Sequence, residues 1–156
     1  LNNQDQPYFL VIEASKIDSY GHANTIKGIV QEVLDFDKAI AETLKAVDEH
    51  NNTLVVITAD HETSGFGILQ GHPDSFEIEG DFLSHDHTGV MVPVFAYGPQ
   101  SHNFRGVYEN TEIFHKILEA LEIQKYWCRA IINLQLGLIL HLFVNQFQNE
   151  SMVSHS

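Results

Sequence analysis

Leu54-Val55-Val56-Ile57-Thr58 is an uninterrupted apolar, β-branched run that empties through Ala59 into Asp60 and His61. A strand with one wet face would alternate polar and apolar side chains. A run without alternation has to be covered on both faces, as a strand inside a sheet layered between helices is. The run therefore delivers a carboxylate and an imidazole to the place where such a strand leaves its sheet. Ligands of open α/β sheets bind outside the carboxyl ends of the strands, which makes Asp60 and His61 candidate metal ligands. The same two residues also read as a turn cap with a surface imidazole beside it.

A second apolar run, Tyr8 to Ile12, ends on Glu13, whose carboxylate emerges at the same edge as Asp60. Asp18 and His22 follow, four residues apart, a spacing that a helical or turn-like backbone converts into two side chains on one side, able to share an ion. From residue 25 to 49, Ile26, Ile29, Val30, Val33, Phe36, Ile40, Leu44 and Val47 recur at three- and four-residue steps, the pattern of an amphipathic helix laid on a sheet. Strand, helix and strand in that order predict a parallel crossover unit. The fold class is accordingly α/β, with a mostly parallel central sheet flanked by helices.

Residues 65–88 lose periodicity and read as a long loop or small excursion ending on Ser84-His85-Asp86-His87. Val90 to Tyr97 is a third strand, and Pro93 inside it predicts an edge position or a strand start. Asn110 or Thr111 can cap a last helix with Ile113, Phe114, Ile117, Leu118 and Leu121 on its apolar face.

The formal charge of -13, from 8 Lys plus Arg against 21 Asp plus Glu, excludes a duplex nucleic-acid partner, whose phosphates call for a cationic surface. Bound cations would offset part of that surplus, and the 10 histidines supply further donors. His50, His72, His102, His115, His141 and His155 fall in no pattern. Cys128 stands alone, which excludes an internal disulfide. The start at Leu1 carries neither the basic head nor the apolar core of a signal peptide and reads as internal to a longer protein. After Gln124 the character changes to an apolar run, Ala130 to Val144, broken by Asn133, Gln135, Gly137 and His141, too short and too amide-rich for the ~20 residues of a spanning helix. An interfacial helix, an oligomer contact and a tail translated from disturbed coding sequence are open readings, the last preferred. The chain thus divides into residues 1–124 and a tail, 125–156.

Collected together, Glu13, Asp18, His22, Asp60, His61 and His87 lie on three loops that would meet at one sheet edge, with carboxylate and imidazole donors suited to zinc and oxygen donors suited to magnesium. Their settings, Val-Ile-Glu-Ala-Ser around Glu13, Ile-Asp-Ser-Tyr-Gly-His-Ala-Asn around Asp18 and His22, Leu-Asp-Phe-Asp-Lys-Ala, Thr-Leu-Val-Val-Ile-Thr-Ala-Asp-His-Glu-Thr around Asp60 and His61, His87-Thr-Gly and Val-Phe-Ala-Tyr-Gly-Pro, occur in the order found in alkaline phosphatases. Over residues 8 to 122 the chain resembles that family.

The resemblance implies an alkaline-phosphatase-like sandwich of which this chain is the C-terminal half of the catalytic domain. It implies two zinc ions, one held by Asp18, His22 and His87 and one by Asp60 and His61, with Glu13 on a magnesium. It also implies hydrolysis of small-molecule phosphate monoesters through a phosphoserine intermediate, a homodimer of the full-length enzyme, and a periplasmic or extracellular location. The family's nucleophilic serine and phosphate-clamping arginine match nothing here: Ser15, Ser19 and Ser64 stand outside the Asp-Ser-Ala setting, so both groups are expected upstream of Leu1. A sulfatase or phosphodiesterase of the same superfamily would share the Asp-His logic, and a noncatalytic metal-binding fragment is the alternative of another class.

Overall fold

The structure, a computed structural model, describes residues 8–49, 52–75, 77–121 and 139–144, the last six by their backbone. Trp127, Cys128 and the first part of the apolar tail run lie outside the described residues. In chain order the elements are β1 (Tyr8–Glu13), α1 (Lys16–His22), α2 (Ile26–Asp48), β2 (Thr53–Thr58), β3 (Glu62–Thr63), β4 (Gly67–His72), β5 (Glu77–Asp81), β6 (His87–Thr88), β7 (Phe95–Tyr97), a 3-10 helix (Ser101–Phe104), α3 (Glu112–Ala120) and β8 (Ile139–Val144).

The continuous apolar run is the centre of the core because its two faces go to two different layers. Leu54 and Val56 pack with Phe104 and Ala120, joined by Ile113, Ile117 and Leu121 from α3 and its end. Val55 packs the other way, with Val47, Leu44 and Phe36 of α2 and with Leu10 of β1. Val55 and Val56 are both 0% exposed, so neither face of β2 could carry a polar residue without leaving it unsolvated. Each such valine contributes roughly 1.5–3 kcal/mol of burial free energy. The sheet is thus sandwiched between α2 and α3, as the missing alternation predicts.

The strand directions correct the expected sheet. Its order is β1-β8-β2-β7, and all described pairings are antiparallel. β1 and β2 do run the same way, as a strand-helix-strand crossover requires, but β8 lies between them: Val55 and Val11 face Leu142 and His141 respectively, and Thr58 and Glu13 both face Ile139. The mostly parallel sheet fails for two reasons. β8 enters the space between β1 and β2 in the opposite sense. The connection from β2 to β7 contains no helix among its described residues to carry the chain back to the starting edge, so β7 returns antiparallel to β2. β7 is the edge strand, and it starts two residues after Pro93, whose carbonyl accepts the Thr58 hydroxyl at 3.3 Å.

The shared register with Ile139 sets the carboxyl ends of β1 and β2 at one edge. Beyond that edge the excursion 65–88 folds back as the hairpin β4–β5 and then pairs β6 with β3, Glu62 opposite Thr88 and Thr63 opposite His87. None of the described helices is long and apolar enough to cross a membrane.

Candidate metal centre

α1 brings Asp18 and His22 onto one side, as their four-residue spacing predicts, and the β3–β6 pair brings His87 to them. Donor atoms of Asp18, His22 and His87 lie within 4.8 Å of one another. His22 Nε2 is 3.1 Å from His87 Nε2, and Asp18 Oδ1 is 3.4 Å from His22 Nε2 and 3.5 Å from His87 Nε2. Four ligands placed tetrahedrally at zinc distances stand roughly 3.3 Å apart, so this triangle has the dimensions of three zinc ligands.

The state of His22 follows from its other nitrogen. Nδ1 is 2.5 Å from the His85 carbonyl, which can only accept, so Nδ1 carries the proton and Nε2 turns a lone pair toward His87 and Asp18. A ligating histidine is normally oriented in this way, by donation from its second nitrogen. His85 returns the contact, its Nδ1 lying 3.0 Å from the His22 carbonyl, so α1 and the loop 82–88 are tied at two points. The side chains of His22 and His87 remain 39% and 48% exposed, which leaves the cluster open to an incoming ligand.

Asp60 and His61 form the adjoining pair. His61 Nε2 lies 3.0 Å from Asp60 Oδ2, a buried oxygen without a hydrogen-bond partner among the described residues. An orphaned carboxylate oxygen is costly unless a cation completes it, so this pair too fits a metal. The His61 ring stacks on His87 with centroids 3.5 Å apart, which makes the two donor groups neighbours. Glu13 closes β1 at the same edge, with an exposed side chain, and joins none of the cluster's hydrogen bonds or ion pairs among the described residues.

The residues that hold these donors in place are ones the sequence does not single out. Glu62 accepts the Gly65 N–H at 2.9 and 3.0 Å and the Thr88 hydroxyl, binding β3 to β6. Ser64, fully buried with φ 76°, donates its N–H to the Asp86 carbonyl at 2.9 Å, while its own carbonyl accepts the N–H groups of Leu83 and Ser84 at 2.9 and 3.1 Å. Thr63 donates to Asp18 Oδ1 at 2.6 Å. Gly21 permits that approach: a Cβ there would stand 2.9 Å from Thr63 Cγ2. Glu62 and Thr63 follow Asp60-His61 directly in sequence, but their work depends on loops that only folding brings together.

Carboxylate and imidazole donors converging at the carboxyl edge of a sheet held between helices define an α/β protein with a candidate divalent-metal site. The chain belongs to the alkaline phosphatase family, whose model its residues 1–77 and 70–123 match. It is 31% identical over 140 residues to alkaline phosphatase H of Pseudomonas aeruginosa, with 80% of this chain and 29% of that protein covered. It is 33% identical over 138 residues to streptomycin-6-phosphate phosphatase of Streptomyces griseus, with 75% and 30% covered. Among solved structures, alkaline phosphatase from the Antarctic bacterium TAB5 superposes with a TM-score of 0.64 at 43% identity, covering 70% of this chain and 34% of that one. A variant of the TAB5 enzyme has Mg bound in its M3 site. The chain thus spans about a third of the length of the relatives it matches.

Proposed function

We propose that this chain is the metal-binding part of a phosphomonoesterase that works through a phosphoserine intermediate. The observation that carries the reading is the triangle of Asp18 Oδ1, His22 Nε2 and His87 Nε2, whose sides match tetrahedral zinc ligation. In this reading Asp18, His22 and His87 hold one zinc, Asp60 and His61 hold two positions on a second, and Glu13 contributes to a magnesium. When bound, the zinc pair supplies Lewis-acid polarisation of the phosphoryl and leaving oxygens.

The protein's own residues orient those donors. The His85 carbonyl holds the His22 proton on Nδ1, and Glu62 keeps the His61 and His87 loops in register. The nucleophile is proposed to come from a segment outside this chain. Ser64 is fully buried, and Ser19 gives its hydroxyl to the Ser15 carbonyl at 3.3 Å, neither of which suits attack on a substrate. Small phosphate monoesters are the proposed substrates, in keeping with a relative named streptomycin-6-phosphate phosphatase. A homodimeric enzyme in the periplasm or outside the cell completes the proposal.

The test is hydrolysis of a chromogenic phosphate ester, with a sulfate ester and a phosphodiester alongside, each with and without zinc. This chain alone is expected to give no significant turnover. Joined to a family segment bearing the serine and arginine, it is expected to cleave the phosphomonoester in preference to the other two. Preference for the sulfate ester or the diester overturns the substrate class. Zinc-dependent turnover by this chain alone, abolished by Ser15→Ala or Ser19→Ala, overturns the placing of the nucleophile.

A further inference from the structure

The last turn of α1 ends in four carbonyls, groups for which a helix has no partners of its own. Three are met by the chain that follows: Ser19 accepts the Ala23 N–H at 3.1 Å, Gly21 the Asn24 N–H at 2.9 Å and Tyr20 the Thr25 N–H at 3.0 Å. The fourth belongs to His22 itself. Its carbonyl accepts from Nδ1 of His85, 3.0 Å away and 63 residues further along the chain. In return the His85 carbonyl takes the other end of the same residue, 2.5 Å from Nδ1 of the His22 ring. We propose that His85 is a positioning residue, which grips His22 by backbone and ring at once and so aims its Nε2 at the space shared with Asp18 and His87.

The two bonds differ in what they ask of the sequence. Any residue at position 85 presents a carbonyl, so the hold on the ring survives substitution. The hold on the helix end needs a side-chain donor at the reach of Nδ1. The loop can aim such a donor because it is fastened on both sides of position 85. The Ser64 carbonyl accepts the N–H groups of Leu83 and Ser84 at 2.9 and 3.1 Å, and the Asp86 carbonyl accepts the Ser64 N–H at 2.9 Å. Within the loop the Ser84 hydroxyl accepts the Asp86 N–H at 2.9 Å and donates to the Asp86 carbonyl at 3.0 Å. Two residues past His85 the same segment delivers His87, whose Nε2 is 3.1 Å from Nε2 of His22. One loop therefore carries one candidate ligand and holds another. His85 is not itself a member of the donor cluster, so its effect passes through His22. The consequence for zinc rests on the metal-centre reading, whereas the grip on α1 exists with or without an ion.

Asparagine and glutamine separate the position of the donor from the bulk of the side chain. The Asn amide nitrogen falls where Nδ1 of a histidine does, and the Gln amide nitrogen where Nε2 does. In the metal-free chain, amide hydrogen exchange at Ala23, Asn24 and Thr25 is expected to run about fivefold faster in His85→Ala and His85→Gln, and near the native rate in His85→Asn. Competition against a chromophoric chelator is expected to show zinc held roughly tenfold more weakly by the Ala and Gln variants, with the Asn variant near native. Native exchange at the end of α1 in His85→Ala overturns the proposal. Faster exchange with unchanged zinc affinity overturns the positioning role, as does rescue by Gln as complete as rescue by Asn. The expected exchange pattern with no zinc uptake by the native chain would instead overturn the metal reading and leave the grip of His85 on α1 standing.

Discussion

The Thr88 hydroxyl donates to the Glu62 carboxylate across the β3–β6 pair, and the same carboxylate accepts the Gly65 N–H. Glu62 follows His61 and Thr88 follows His87, so one half-buried carboxylate sets the distance between the two imidazoles that stack on each other. Glu62→Ala leaves the Gly65 N–H and the Thr88 hydroxyl without their acceptor and is expected to cost about 1–3 kcal/mol. Thr88→Val, which leaves Glu62 bonded to Gly65, is expected to cost about 1 kcal/mol. Urea unfolding midpoints at constant m-value measure both, and a Glu62→Ala midpoint equal to the native one contradicts the clamp.

Gly21 is the point where α1 comes closest to β3. A Cβ at this position meets Thr63 Cγ2 at 2.9 Å and Thr63 Cβ at 3.1 Å, on a paired strand that cannot easily yield. Gly21→Ala is therefore expected to push α1 away, lengthen the Thr63–Asp18 bond and weaken zinc binding about tenfold or more. Gly71→Ala is the control, because nothing lies within 4 Å of a Cβ there. Equal zinc affinity in the two variants would show that the contact does not position Asp18.

The sequence made the sandwich legible where burial dictates composition. β2 is apolar without alternation because α2 and α3 cover both of its faces, and α2 shows its apolar steps because one side of it lies on Val55. The candidate cluster was legible for a related reason: Asp18 and His22 are spaced by a helical turn, and Asp60-His61 follows directly from a buried strand. Strand direction was not legible. Nothing in Ile139–Val144 says that it will pair with two strands more than eighty residues away, and its amides and glycine upstream resemble no amphipathic pattern. Glu62, Thr63 and His85 were also hidden, since each acts through a partner brought near by β3–β6 pairing or by the His22–His85 contact.

At the far side of the sheet the Tyr97 phenol donates to Asp48 Oδ1 at 2.6 Å, holding the edge strand to the end of α2. That bond, then the charge of Asp48, raises the phenol above the ordinary tyrosine value of about 10. An acid whose folded pKa is raised stabilises the fold below its unfolded pKa, and the contribution is lost as pH climbs through the folded value. The chain is thus expected to weaken above about pH 10 through this contact, with the effect small because both groups are exposed. Absorbance titration of tyrosinate in native and Tyr97→Phe chains checks it. Loss of a component titrating below pH 10 on substitution would reverse the sign.

Asp18, His22 and His87 are expected to hold a metal together. Zinc bound per chain after dialysis, measured by atomic absorption for the native chain, His87→Ala, His72→Ala and His102→Ala, tests this directly. His87→Ala removes one side of the 3.1 Å and 3.5 Å contacts, whereas His72 sits on the β4–β5 hairpin and His102 in the 3-10 helix, neither of them in the cluster. The predicted result is a large loss of zinc in His87→Ala alone, with His72→Ala and His102→Ala at the native content. Equal zinc in all four proteins would contradict the assignment of the site.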